Sequence, residues 1–151
     1  MSYILKHYQK LSYDECKNLL LEGQYDFYDN GIPQQRLHMR SRKLSQYAHF
    51  ILVLQNGKTV GCVAYYLNSE NSFVYVSYLW VCKTMRRKGI GKLIIDEIIS
   101  LYKKEYKQIL LEVTISRPAY SFYKKNGFIP VEYRENNQRL LMSKSINYNY
   151  D

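Results

Sequence analysis

The sequence lacks the features that mark secreted, metal-stapled or membrane-spanning chains. Its three cysteines, Cys16, Cys62 and Cys82, form neither a CxxC pair nor a Cys/His cluster, which argues against a disulfide framework and a zinc site. No run of 18 apolar residues occurs, so no transmembrane helix is expected. Lys6 and Lys10 interrupt the N-terminal stretch too early for a signal peptide. These absences predict a chain that works in the reducing cytoplasm without a membrane partner.

The chain also lacks internal repeats, linkers and low-complexity segments, apart from a polar tail predicted at 146–151. Its 151 residues suit one domain, 1–151. A net charge of +9 is compatible with nucleic-acid binding. However, the lysines and arginines are scattered and form no basic stripe with interleaved aromatic residues. A solvated basic surface with one phosphate site is therefore favoured over a nucleic-acid partner.

The hydrophobic pattern predicts the element order β α α β β β α β α β β. A capping box at Ser12 opens the first helix and Gly23 closes it, which leaves 24–31 as a loop. Pro33 opens the second helix, which runs to about Ser45. A third helix follows Gly91 and a fourth begins at Pro118. Strands are predicted at 3–8, 47–54, 59–66, 73–81, 108–114, 127–133 and 138–144.

Two features of the strand pattern shape the expected sheet. Asn56-Gly57 is a strong hairpin signal, and Asn136-Asn137 marks a second turn. The strand 73–81 contains no charge and is apolar on both faces, as in a central strand covered on both sides. Because 73–81 and 108–114 flank a helix, they should be parallel neighbours joined by a right-handed crossover.

The stretch 86–91, RRKGIG, places two glycines behind three cations where the uncharged strand meets a helix. A helix N-terminus presents unpaired N–H groups and a partial positive charge, which together form an anion site. Glycine keeps such a backbone accessible and permits positive φ. The segment 82–92 therefore predicts a pyrophosphate loop, although it matches neither GxxxxGK[ST] nor GxGxxG. A plain helix cap beside a solvated basic turn is the alternative that this spacing leaves open.

Two segments resemble the GNAT superfamily of N-acetyltransferases. The stretch 86–91, directly after Leu-Trp-Val at 79–81, resembles that family's acetyl-CoA loop, and AYSFYKKNGF at 119–128 resembles its AxxLYxxxGF segment. The resemblance covers about residues 3–144. It implies an α/β (α+β) fold whose mixed, mostly antiparallel sheet of about seven strands contains one splayed parallel pair, with helices on both faces. It also implies acetyl-CoA as co-substrate, no metal, a small-molecule or protein amine as acceptor, and a monomer or homodimer.

The resemblance further implies roles for individual residues. The Leu79 N–H would point at the thioester oxygen, and backbone groups of Leu79 and Val81 would bind pantetheine. Tyr123 would protonate the departing thiolate. Ser116 stands where the family commonly has Asn, and it can still bond a backbone or pantetheine carbonyl. The implied CoA-binding residues are Leu79, Trp80, Val81, Arg86, Arg87, Lys88, Gly89, Ile90, Gly91, Lys92, Ser116 and Tyr123.

The chemistry of the reaction agrees with these roles. An amine attacking a thioester needs a preorganised donor where charge grows on the carbonyl oxygen. A tyrosine, with an ordinary pKa of about 10, remains a proton donor at neutral pH. Core packing is the alternative role for Tyr123, and the motif favours the acid. Glu112 is the one acid in its apolar strand and would gain basicity by burial, but pairing with a Lys or Arg stays equally open.

The acceptor is not defined by the sequence. In the family its wall comes from the first two helices and the last hairpin, here 13–45 and 128–142. The first of these holds acids that could attract an ammonium (Glu22, Asp26 and Asp29) and cations that would suit an acidic acceptor (Arg36, Arg40, Arg42 and Lys43). His7, His38 and His49 match no family base. A non-catalytic acyl-CoA-binding module and a basic RNA-binding protein stay open as other functions.

Overall fold

The computed structural model describes residues 2–147. The elements are β1 Ile4–Tyr8, α1 Tyr13–Phe27, α2 Gln34–Tyr47, β2 His49–Gln55, β3 Lys58–Asn68, β4 Phe73–Val81, α3 Ile90–Tyr102, β5 Gln108–Thr114, α4 Pro118–Lys125, β6 Ile129–Arg134 and β7 Arg139–Ser145. A single 3-10 turn, Lys83–Met85, lies between β4 and α3. This is the predicted element order, so the sequence pattern is confirmed at that level.

The strands form a seven-stranded sheet in the order β1-β2-β3-β4-β5-β7-β6. β4 and β5 are parallel, in a register that runs from Phe73 opposite Gln108 to Val76 opposite Leu111. β1 and β2, β2 and β3, β5 and β7, and β6 and β7 pair antiparallel. The helix α3 connects the parallel pair, as a crossover requires. The predicted mixed sheet with one parallel pair is therefore confirmed.

The chain divides by its packing into two compact units. The first contains the chain up to Tyr66 together with Tyr78–Ile94, and the second contains Leu67–Ser77 together with the chain from Ile95. Whether 1–151 behaves as one domain stays a prediction. The core of the first unit contains Leu11, Cys16, Leu19, Leu20, Leu37, Leu44, Ala48, Phe50, Cys62, Ala64, Tyr78 and Trp80. In the second unit the fully buried side chains include Ile98, Ile109, Leu111, Leu140, Met142 and Ile146.

The first helix begins as predicted but ends later. The Ser12 side chain accepts from the Glu15 N–H at 3.1 Å, and the Ser12 N–H donates to Glu15 Oε1 at 2.9 Å, which is the predicted capping box. The prediction that Gly23 closes the helix is wrong, because α1 continues to Phe27. Residues 24–27, expected in a loop, are helical. Pro33 precedes α2 as its N-cap residue.

Close packing explains the position of Gly23. A Cβ atom at this buried residue would lie 2.6 Å from Trp80 Cδ1, and closer still to Tyr78 Oη. The glycine therefore lets the backbone of α1 lie directly on two aromatic side chains of β4. It does not supply the left-handed conformation of a helix C-terminus.

Both predicted turns are present. Asn56 and Gly57 adopt φ values of 52° and 77°, as expected for a two-residue hairpin turn of type I′. Asn136 and Asn137, between β6 and β7, also have positive φ, at 57° and 67°.

The predicted polar tail, 146–151, falls mostly outside the described residues, which end at Asn147. Ile146 is itself fully buried, and its N–H donates to the Lys107 carbonyl at 2.9 Å. Between residues 2 and 147, none of the helices is both long enough and apolar enough to cross a bilayer.

Candidate active site

The second half of β4 presents its backbone in a defined direction. The Cys82 N–H donates to the Val60 carbonyl at 2.9 Å, so it faces β3. Backbone N–H groups alternate in direction along a strand. The N–H groups of Leu79 and Val81 therefore point away from β3. The side chains of Tyr78 and Trp80 are buried, whereas those of Leu79 and Val81 are half-buried.

Helix α1 is tied to β4 and to the segment that follows it. The Tyr78 hydroxyl donates to the Leu19 carbonyl at 2.8 Å. The Trp80 indole N–H donates to Asp26 Oδ2 at 3.0 Å, and Arg86 Nη2 donates to the same oxygen at 2.6 Å. The Trp80 indole, only 8% exposed, is thus held by α1. Only α1 running past Gly23 to Phe27 makes Asp26 part of this contact.

The loop 86–92 has the backbone expected of an anion site. Arg87 and Gly89 are left-handed, with φ of 63° and 83°. A Cβ atom on Gly89 would meet no atom within 4 Å, so this glycine serves conformation and access, not packing. The Gly89 carbonyl accepts the Leu93 N–H at 2.9 Å, which begins α3. The N–H groups of the first helical residues, from Ile90 onward, therefore lack intrahelical acceptors.

Buried residues anchor the loop on both sides. Met85 before it and Ile90 after it are 8% and 1% exposed. Gly61 in β3 lets Ile90 approach, because a Cβ atom at Gly61 would lie 3.0 Å from Ile90 Cγ2. Arg87 and Lys88, between the anchors, are exposed. Arg86 is different, because its guanidinium meets both Asp26 and, through Nε at 3.1 Å, the Val81 carbonyl.

Tyr123 lies at the end of α4 and is 6% exposed. Its ring contacts the edges of Phe122 and Phe128, each with ring centroids 5.3 Å apart. Burial raises the pKa of the Tyr123 hydroxyl above its ordinary value, so the group stays protonated over the whole neutral range.

A Schellman motif gives the physical reason for the spacing Tyr123-x-x-x-Gly127-Phe128. The Phe128 N–H donates to the Tyr123 carbonyl at 3.0 Å, and the Gly127 N–H donates to the Lys124 carbonyl at 3.2 Å. Gly127 supplies the left-handed φ of 88° that the motif requires. The chain then folds back so that Phe128 packs on the Tyr123 ring. The segment that resembles AxxLYxxxGF is therefore a helix ending that fixes the tyrosine ring.

Comparison with known proteins agrees with this geometry. The model of the Acetyltransferase (GNAT) domain family matches residues 46–130 of the chain. The chain belongs to the GNAT acetyltransferase family. Acetyl-CoA is therefore its acetyl donor and an amine is its acceptor. A search among curated proteins gives no significant match.

Solved structures of similar fold include several acetyltransferases. A GNAT-family acetyltransferase from Staphylococcus aureus Mu50 is 18% identical, with a TM-score of 0.78, and 97% of this chain covers 100% of it. The PaiA N-acetyltransferase from Thermoplasma acidophilum, in complex with coenzyme A, is 19% identical with a TM-score of 0.72, over 96% of this chain and 99% of that one. The ribosomal-protein-S18-alanine N-acetyltransferase from Escherichia coli is 14% identical with a TM-score of 0.71, over 98% and 97%.

In this GNAT acetyltransferase Glu112 has cationic partners. Arg139 Nε donates to Glu112 Oε1 at 3.2 Å, and Arg134 Nη1 donates to the other carboxylate oxygen. Arg139 also donates to Thr114 Oγ1 at 3.0 Å. The structure therefore contains the ion pair that the sequence left open as the alternative to a catalytic base. The partners come from β6 and β7, more than twenty residues away in sequence, so no local pattern could identify them.

The remaining predicted residues lie outside this polar cluster. Ser116 is exposed in the turn between β5 and α4. Tyr13 and His38 share a hydrogen bond of 2.9 Å, and His49 stacks on Tyr65. Within residues 2–147, no group of three or more His, Cys, Asp or Glu side chains is arranged to hold a metal ion.

Proposed function

We propose that this acetyltransferase moves the acetyl group directly from acetyl-CoA to a primary amine of its acceptor within a ternary complex. The observation that carries the proposal is the open left-handed backbone at Gly89, at the start of α3. This backbone leaves consecutive N–H groups accessible to an anion.

The backbone from Arg87 to Lys92 would bind the pyrophosphate of acetyl-CoA, including the amides of Ile90 and Gly91. Lys88 is exposed, and it would add electrostatic attraction for the phosphates. Arg86 and Trp80 act indirectly on this account. They hold the loop and the strand through Asp26 while the backbone makes the contacts.

The Leu79 N–H would polarise the thioester carbonyl. It points away from β3 and so is available to a ligand that lies along β4. A fixed backbone donor stabilises the negative charge that develops on the oxygen as the amine attacks, and removal of one such donor typically costs about 10²–10³-fold in rate. Val81 would bind the pantetheine arm through its backbone in the same orientation.

Tyr123 would donate a proton to the departing CoA thiolate. Its raised pKa keeps the hydroxyl protonated, and the Schellman motif fixes the ring. We assign no protein base, because Glu112 is held by two arginines. The proton of the attacking amine would pass to solvent. Ser116 would contribute at most one polar contact to pantetheine.

The cytoplasm is the compartment we propose, since Cys16, Cys62 and Cys82 are all free thiols and suit a reducing setting. The amine acceptor is a small molecule or a protein, and the oligomer a monomer or homodimer.

A screen of primary amines with acetyl-CoA, followed through release of the free CoA thiol, tests this function. Tyr123→Phe should lower kcat by about 10²–10⁴-fold while acetyl-CoA affinity and the melting temperature stay close to wild type. Tyr120→Phe, in the same helix, should leave all three unchanged. Since burial raises the Tyr123 pKa, wild-type kcat should not fall through loss of this proton up to pH about 10. CoA binding without turnover of any amine would instead support a non-catalytic binding module.

A further inference from the structure

Helix α2 carries a hollow that the proposed roles do not use. Its volume is about 370 Å³, and its lining consists of Pro33, Gln35, Arg36, Met39 and Arg40. This volume falls within the range of about 300–1,000 Å³ that is typical of small-molecule sites. The two arginines are the only charged side chains in the lining.

The charge of α2 favours an anionic ligand over a purely structural explanation. Gln34–Tyr47 contains four cations (Arg36, Arg40, Arg42 and Lys43) and no acid. Arg36 and Arg40 are four residues apart, so they neighbour each other on one face, where like charges destabilise a helix. The first turn also lacks the acids that helix N-termini favour. Both features oppose local stability, as expected where a helix serves binding.

The hollow connects to the second half of β4. The Arg40 guanidinium carbon lies 5.9 Å from the centre of the Tyr78 ring. On its other side the Tyr78 ring packs against Phe27, with ring centroids 5.3 Å apart. Tyr78 immediately precedes Leu79, whose N–H is the proposed oxyanion donor. Arg40 thus lies one residue along the strand from the proposed reacting group.

We infer that this hollow binds the anionic group of a small amine acceptor, as a carboxylate or a phosphate. This inference rests on the proposed function. Guanidinium groups bind both anions through paired N–H donors, and two of them on one helix face match a single oxyanion. Met39, which is 62% exposed, supplies an apolar wall for the carbon chain of such a ligand.

Calorimetric titration in the presence of CoA tests the inference without turnover. The probes are two matched pairs: 4-aminobutyrate against 4-aminobutanamide, and O-phosphoethanolamine against ethanolamine. We expect the wild type to prefer the anionic member of at least one pair by about tenfold or more, and the preferred pair identifies carboxylate or phosphate. Arg36→Gln should reduce this preference to within about twofold, as should Arg40→Gln. Arg42→Gln, on the same helix but outside the lining, should keep the preference.

Equal binding of charged and neutral members by the wild type overturns the inference. So does an Arg42→Gln effect as large as that of Arg36→Gln, because the attraction would then be diffuse. Arg36 is exposed, so its substitution does not disturb packing even if Arg40→Gln unfolds the protein. Acetyl transfer is scored separately. Anion preference without transfer supports the hollow and contradicts the proposed function, whereas transfer to amines without anion preference contradicts only the hollow.

Discussion

Asp26 and Arg86, sixty residues apart in sequence, form an ion pair with 2.6 Å between Oδ2 and Nη2. Their side chains are 35% and 41% exposed, so the pair contributes about 0.2–1 kcal/mol at most to stability. Its importance is geometric. Together with the Trp80 contact to the same oxygen, it fixes the beginning of the loop 86–92 relative to the end of α1.

The two kinds of cation in this loop should respond differently to salt. Lys88→Ala removes an exposed charge, so acetyl-CoA affinity should fall several-fold at about 0.01 M salt. The loss should nearly vanish at about 1 M, where the Debye length is about 3 Å. The double variant Asp26→Ala/Arg86→Ala keeps the net charge but removes the tether. Its loss of affinity should therefore be similar at both salt concentrations when measured by calorimetric titration.

A salt-dependent loss in the double variant would contradict the positioning role of Arg86. A loss for Lys88→Ala that persists unchanged at high salt would mean that Lys88 makes a direct, water-excluded contact.

Gly23→Ala should destabilise the protein, although alanine normally stabilises a helix. The added methyl group would overlap Trp80 and Tyr78, and such overpacking typically costs about 1–3 kcal/mol. At an open helix position the same change gains up to about 1 kcal/mol. Urea unfolding measures the difference, with Glu22→Ala at the exposed neighbouring residue as control. An unchanged or higher midpoint for Gly23→Ala would show that the contact has no energetic cost.

Glu112→Gln distinguishes an ion-pair role from a catalytic one. The change removes the charge that Arg134 and Arg139 share, so unfolding free energy should fall by about 1–2 kcal/mol. The kcat for a confirmed amine should stay within a few-fold of wild type. Glu132→Gln, which affects only the more exposed pair with Arg134, should change neither quantity much. A drop in kcat of about 100-fold or more with unchanged stability would instead make Glu112 the base.

Local signals predict the parts of the fold that local physics determines. The pair Asn56-Gly57 defines a turn because both residues tolerate positive φ, and the structure has this turn. The uncharged run 73–81 and the helical spacing after Gly91 predict β4 and α3, and hence the parallel neighbour β5.

The errors and omissions arise from contacts distant in sequence. A glycine inside a helix resembles a helix ending unless one knows that Trp80 packs on it, so the sequence predicts the end of α1 too early. Arg86 resembles a phosphate ligand because its partner, Asp26, lies in another helix. Pairing of Glu112 with Arg134 is only one of two alternatives at the level of sequence, since nothing in strand 108–114 indicates which cations reach it.

The most direct test of the central claim, that the start of α3 binds the acetyl-CoA pyrophosphate, compares two glycines of the same conformation. Gly89 and Gly57 have φ of 83° and 77°, and a Cβ atom added at either glycine would meet no atom within 4 Å. Glutamate at either site should cost a similar free energy of unfolding, about 1–2 kcal/mol. Calorimetric titration with acetyl-CoA should show a roughly 10–100-fold or greater loss for Gly89→Glu and wild-type affinity for Gly57→Glu. Equal affinity in the two variants would contradict the account.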